Sequence, residues 1–200
     1  MFLDNRLNQE KVASNLNKVI ITAEIVYTKL YSLNSNKAHG DDGMGSLMLK
    51  ELANELKGVL TIIYNRSLSE SKIPNDWKIA NVTPIFKKGK KCDAGNYQPV
   101  SLTSHVCKIL ESIIKDSITN HINVNNLLNE SQHGFISKLS CLTNLLQFIQ
   151  TVTDYVNQGY PVDVIFLDFQ KAFDKVPHGR LLLKVKAMGI GNWKSSGKLD

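Results

Sequence analysis

At 200 residues, the chain is long enough for one domain, or a large piece of one, with a proper core. Hydrophobic residues make up 42% and charged residues 21%, which excludes a disordered polymer, while a net charge of +6 suits a polyanionic partner. No apolar run approaches membrane-span length, Asp4 and Arg6 interrupt any signal-peptide core, and three widely spaced cysteines point to reduced thiols, from which an intracellular protein of the cytoplasm or nucleus is expected.

Residues 1–21 are polar and rich in Asn, and read as a poorly ordered lead-in. Thr22 then caps a helix whose apolar face carries Val26, Leu30 and Leu33. A Gly-rich loop, Lys37–Gly45, precedes a longer helix from near Ser46, with Met48, Leu52, Leu56, Val59 and Ile63 on one stripe. Pro74 and Asp76 end that region. Ile79–Phe86 reads as a strand that Pro84 confines to an edge or a bulge. Gln98–Leu102 is its expected antiparallel partner, across a loop containing Gly89 and Gly95. Ser104 caps an amphipathic helix carrying Val106, Ile109, Leu110, Ile113, Ile114, Ile118 and Ile122. From Ser140 another helix presents Leu142, Leu145, Ile149, Val152 and Val156, and closes at Gly159. Val164–Leu167 is a β-branched and aromatic run after Gly159 and Pro161, the pattern of a buried strand. A short helix near Gly179–Met188 follows, stopped by Gly189. Helices, one hairpin and one central strand make an α+β chain.

Two places carry chemistry. The apolar run ends on Asp168, and a carboxylate at a strand end is placed to share a Mg²⁺ with substrate phosphates; an ordinary strand followed by a helix cap is the plain alternative. Lys87, Lys88, Lys90 and Lys91 put four ammonium groups at a hairpin tip, where phosphates could meet them; a solvated loop is the plain alternative. Phe86 and Tyr97 beside them could stack on bases or simply pack the hairpin. Asp174, near Pro177, reads better as a helix cap than as a ligand. The three cysteines, Cys92, Cys107 and Cys141, are widely spaced with no Cys-x-x-Cys pair, which points to reduced thiols and no zinc site. His39 and His133 have no carboxylate or thiol at ligand spacing, and His133 is expected to order a turn.

The run Phe166-Leu167-Asp168-Phe169-Gln170-Lys171-Ala172-Phe173-Asp174-Lys175-Val176-Pro177-His178 resembles the first catalytic motif of reverse transcriptases from non-LTR (LINE-type, jockey-like) retrotransposons. Four further stretches resemble the same family in the same order: Lys37–Gly43, Trp77–Gly89, Asn96–Leu102, and Gln132–Phe135 with Ser140–Leu145. The resemblance runs from about residue 22 to residue 188. It implies the fingers (22–160) and the start of the palm (161–200) of a right-hand polymerase, truncated before the remaining palm strands and thumb. It also implies RNA-directed DNA polymerase ancestry, with an RNA template, a DNA primer, deoxynucleoside triphosphates and Mg²⁺. Carried over by position, Asp168 is a catalytic metal ligand, and the backbone at Phe169 completes the metal and triphosphate face. Phe173 is the ring that tests for a ribose 2′-OH, with core packing left open beside it. Lys87, Lys88 and Gln98 fall on the nucleotide-binding side, and Lys90, Lys91 and Lys138 on the nucleic-acid side.

The departures are as specific as the matches. Gln98 stands where the family usually has Arg, and an amide cannot replace a bidentate guanidinium on phosphate. Ile136-Ser137-Lys138-Leu139 replaces a segment with two basic residues, and His39 replaces a proline. No Ala-Asp-Asp string follows Asp168, and Asp41-Asp42 lies far upstream. A two-metal site needs carboxylates around both ions, so the chain is expected to be inactive by itself. A non-catalytic nucleic-acid-binding protein, or a remnant without a selected role, is the alternative.

Overall fold

The Thr22 side chain accepts a hydrogen bond from the Ile25 N–H at 3.3 Å and starts the first helix, as its cap position predicts. A computed structural model describes residues 12, 14–169 and 175–191. These fall mainly into two compact units, Leu16–Asn120 and His121–Gly191.

In the first unit, α1 (Ala23–Tyr31) packs against α2 (Ser46–Glu51) and α3 (Ala53–Glu70). The core gathers Val19, Ile21, Val26, Leu30, Leu49, Ala53, Leu60 and Tyr64 with Val106, Ile109, Leu110 and Ile113 of α4 (His105–Val124). Burying a side chain such as Leu30 contributes about 1.5–3 kcal/mol. Lys29 joins α1 to α4 through Asp116 and, at 2.9 Å, Ser112.

Two expectations for these helices change. The single helix from Ser46 is broken at Leu52, so α2 and α3 are separate. Its buried stripe is Leu49, Ala53, Leu60, Tyr64 and Ser67, whereas Met48, Leu52, Val59 and Ile63 are exposed. Two apolar stripes run along this segment one residue apart. The inner one holds the small Ala53 and the Tyr64 hydroxyl, which finds an acceptor on α4. The outer one offers bulk without a polar tether.

β1 (Ala80–Phe86) and β2 (Tyr97–Thr103) form an antiparallel pair, as expected. Pro84 faces Pro99 directly. Because the Lys87 N–H bonds the Asn96 carbonyl, alternation makes the Pro84–Pro99 pair a non-hydrogen-bonded one. Neither proline therefore removes a donor that the ladder uses. Ser104 ends the hairpin and caps α4, accepting from the N–H groups of Val106 and Cys107.

The second unit holds the C-terminal turn of α4, α5 (Cys141–Asn157) and α6 (His178–Ala187). His121 donates through Nε2 to the Met188 carbonyl at 2.8 Å and ties α4 to the end of α6. Ser140 and Thr143 form a reciprocal capping box at the start of α5. Gly159 closes the segment with φ +80, and Gly189 stops α6 with φ +71. The apolar face expected on α5 is present but uncovered: Leu142, Leu145, Ile149 and Val156 are exposed.

The strand expected over Val164–Leu167 does not form. These residues are irregular and exposed, and the only sheet among the described residues is β1–β2. A strand needs a neighbour to satisfy its backbone donors and acceptors. None is offered to this run among the described residues.

Candidate nucleic-acid interface

The hairpin tip between β1 and β2 is ordered from within. The Lys87 N–H extends the ladder to the Asn96 carbonyl at 2.9 Å. The Lys90 carbonyl accepts from the Asp93 N–H and from Asn96 Nδ2, and the Lys91 carbonyl accepts from the Tyr97 hydroxyl at 2.8 Å. Asp93 accepts from the Gly95 N–H at 2.9 Å, so the one carboxylate of the tip is turned into its own loop. Gly89 takes φ +92, and a Cβ there would stand 2.5 Å from the Asn96 amide. Local bonds thus fix the tip's backbone, and all four lysines are exposed on it.

Phe86 and Tyr97 form a non-hydrogen-bonded cross-strand pair, the closer kind, with ring centroids 5.5 Å apart and edge-on. Lys91 Nζ lies 5.9 Å from the Phe86 ring centre, within cation–π range. One face of the hairpin therefore carries two rings and an ammonium group. By the twofold alternation of a strand, Gln98 and its partner Ile85 lie on the opposite face. The hairpin does not bring Gln98 together with the aromatic pair.

The loop resembling the family's opening motif sits against the hairpin's exit. A Cβ on Gly40 would come within 2.7 Å of the Ser104 nitrogen and 2.8 Å of the Thr103 carbonyl carbon, so only glycine fits. Beside this contact lies His105, buried, its Nε2 without a hydrogen-bond partner. Burial first, and then the Lys108 charge, holds this imidazole below its ordinary range, against the opposing Ala38 and Lys37 carbonyls and Asp42. His105 escaped sequence reading. It follows a cap residue without any motif, and only the fold of the Lys37–Gly43 loop gives it neighbours. His39 is exposed and donates through Nδ1 to the Gly40 carbonyl.

Asp168 is exposed on the irregular run, and Phe169 beside it is 82% exposed. Among the described residues, no group of three or more His, Cys, Asp or Glu could hold a metal ion. The described donors do not by themselves assemble a Mg²⁺ site. Phe173 and Asp174 lie outside the described residues. Lys138 is exposed at φ +68, in a turn whose Phe135 also has positive φ. His133 orders that turn, as expected, reaching Thr143 Oγ1 at 2.9 Å and Gln147 Oε1 at 2.6 Å on α5. Cys92 and Cys141 are exposed free thiols; Cys107 is buried, and burial together with Glu111 pushes its thiol up to about 11. No described helix is long and apolar enough to cross a membrane.

Comparison with known proteins adds the lineage. The model of a family described as reverse transcriptase (RNA-dependent DNA polymerase) matches residues 85–198. The chain is 30% identical over 170 residues to the RNA-directed DNA polymerase from mobile element jockey of Drosophila melanogaster, covering 84% of this chain and 18% of that protein. It is 28% identical over 169 residues to the probable RNA-directed DNA polymerase from transposon BS of the same fly, covering 84% and 19%. For the probable RNA-directed DNA polymerase from transposon X-element, the figures are 30% over 154 residues, covering 76% and 17%. The chain thus spans less than a fifth of the length of these relatives, and it is homologous to polymerases of non-LTR retrotransposons.

Proposed function

The chain belongs to the reverse transcriptase (RNA-dependent DNA polymerase) family, and from that membership we propose that its own working part is the lysine hairpin, a nucleic-acid contact. Four exposed ammonium groups on an internally bonded tip, flanked by the Phe86–Tyr97 pair, carry this reading. Lysines neutralise phosphates, and rings offer bases a stacking surface; neither reads sequence. The ancestral partners are an RNA template, a DNA primer and deoxynucleoside triphosphates, met in the cytoplasm or nucleus. Residues 22–160 correspond to the fingers and 161–200 to the start of the palm in a right-hand polymerase. Lys87 and Lys88 face the nucleotide, and Lys90, Lys91 and Lys138 the strand.

Polymerisation is a different matter. Asp168 is the one carboxylate that matches the family's metal ligands, and any Mg²⁺ there must find its other ligands outside the described residues. Groups that act as a unit lose nearly all the rate when some are removed. The 200-residue chain alone is therefore inactive in this reading. Primer extension on an RNA template with Mg²⁺ or Mn²⁺ tests it: labelled nucleotide should not be incorporated. Extension above background that disappears in Asp168→Ala would show a complete site and overturn the inactive reading.

A further inference from the structure

We propose that Tyr27, Tyr31, Lys50 and Lys57 form a second contact for the phosphodiester backbone of a single-stranded nucleic acid, separate in sequence from the lysine hairpin. Tyr27 and Tyr31 stand one turn apart on α1, their rings stacked at 5.8 Å and 17°. Tyr31 is 59% exposed and Tyr27 37%. Lys50 of α2 lies over the Tyr31 ring and Lys57 of α3 over the Tyr27 ring, each with Nζ 5.3 Å from the ring centre. Three helices thus converge on one surface patch that alternates cations and rings.

Cation–π contacts at exposed sites are worth about 0.5–1 kcal/mol, so the plain use of this patch is to brace α2 and α3 against α1. The brace has a consequence for binding. Neither ammonium group pairs with a carboxylate among the described residues, where the ion pairs are Lys29–Asp116 and Arg66–Glu70. Both lysines are held by rings rather than waving in solvent, and that lowers the ordering cost of meeting an anion. The ring hydroxyls add two neutral donors, about 6 Å apart along α1. Two cations, two phenols and a π surface match an extended strand, whose charge is on its backbone and whose bases can stack. Glu24 heads the same face of α1 one turn before Tyr27, so it repels phosphate there and directs the strand toward the Tyr31–Lys50 end.

Fluorescence anisotropy of the full chain with labelled oligo-dT, across a salt series, is the test. Lys50→Gln with Lys57→Gln should weaken binding several-fold and reduce the salt slope by roughly 1.4, two phosphates at about 0.7 each. Tyr27→Leu with Tyr31→Leu should weaken binding with little change in slope. Inorganic phosphate at millimolar concentration should not displace the oligonucleotide. Unchanged affinity and slope in the Lys50/Lys57 variant would overturn the proposal, as would full displacement by inorganic phosphate. If neutralising Lys87, Lys88, Lys90 and Lys91 alone abolishes all binding, the hairpin reading stands and this patch falls. If that change does nothing while the Lys50/Lys57 change does, the patch stands and the hairpin reading falls.

Discussion

The Tyr64 hydroxyl donates to the Val106 carbonyl at 2.8 Å, and this one bond joins the middle of α3 to the first turn of α4. Burial, and then Cys107, raises the phenol well above its usual range, so it stays a donor wherever the protein folds. Trp77 stands edge-on to the same ring at 5.8 Å, which brings the run into β1 onto this junction. Tyr64→Phe keeps the ring and deletes the bond. It should cost about 1–2 kcal/mol, because a buried side-chain hydrogen bond is lost and the Val106 carbonyl keeps only its helical donor. Urea unfolding should show a lower midpoint at an unchanged slope; a wild-type midpoint would mean the bond adds nothing net.

Gly40→Ala probes the seat of the Lys37–Gly43 loop. The added methyl would meet Thr103 and Ser104 backbone at under 3 Å, and backbone there cannot swing aside as a side-chain tip would. The loop must lift or the hairpin exit must shift, at about 1–3 kcal/mol. Trypsin should then cut after Lys37 faster than in the parent chain. Equal cutting rates and equal stability would show that the loop is not seated on the hairpin.

His105 and Cys107 should shape the pH dependence of stability from opposite ends. The folded state favours neutral His105, so its contribution is complete above the ordinary value near 6.5 and is lost as pH falls through the lower folded value. The Cys107 thiol is raised instead, so its contribution is complete below the ordinary value of 9.0 and is lost as pH rises toward about 11. His105→Leu should flatten the acid limb while leaving the alkaline one. Cys107→Ala should do the reverse, at a cost in packing. Urea midpoints between pH 5 and pH 11 measure both, and an unaltered acid limb in His105→Leu would remove His105 as its source.

Local signals were legible in the sequence where local chemistry decides. Thr22, Ser104 and Ser140 cap the helices that their positions predict, and the antiparallel pairing of the two strands follows from two β-type runs joined by a polar, Gly-containing loop. Rotation about a helix axis was not legible. Val59 and Ile63 are as apolar as Leu60, and the choice of buried stripe rests on the long-range Tyr64–Val106 bond. The Val164–Leu167 run has the composition of a strand, but strand formation depends on a neighbour, and composition does not report one. At the candidate interface the lysines were readable as a cluster. The Tyr27–Tyr31 stack with Lys50 and Lys57 was not, because its four residues come from three helices.

Neutralising the hairpin gives the sharpest reading of nucleic-acid binding. Four lysines can neutralise about four phosphates, a contribution to the salt slope of roughly −3 on single strands. Replacing Lys87, Lys88, Lys90 and Lys91 with Gln should remove that much of the slope and most of the affinity at low salt. Stability should hardly change, since the tip is ordered by backbone and Asn96, Asp93 and Tyr97 bonds rather than by the lysine side chains. Phe86→Leu tests the second component: losing a stacking ring should cost about 1–3 kcal/mol of binding while the slope persists. Anisotropy titrations of oligo-dT and of an unstructured RNA at several salt concentrations separate the two. If slope and affinity both survive the lysine replacements, the charge run is an ordinary solvated loop and the hairpin is not the interface.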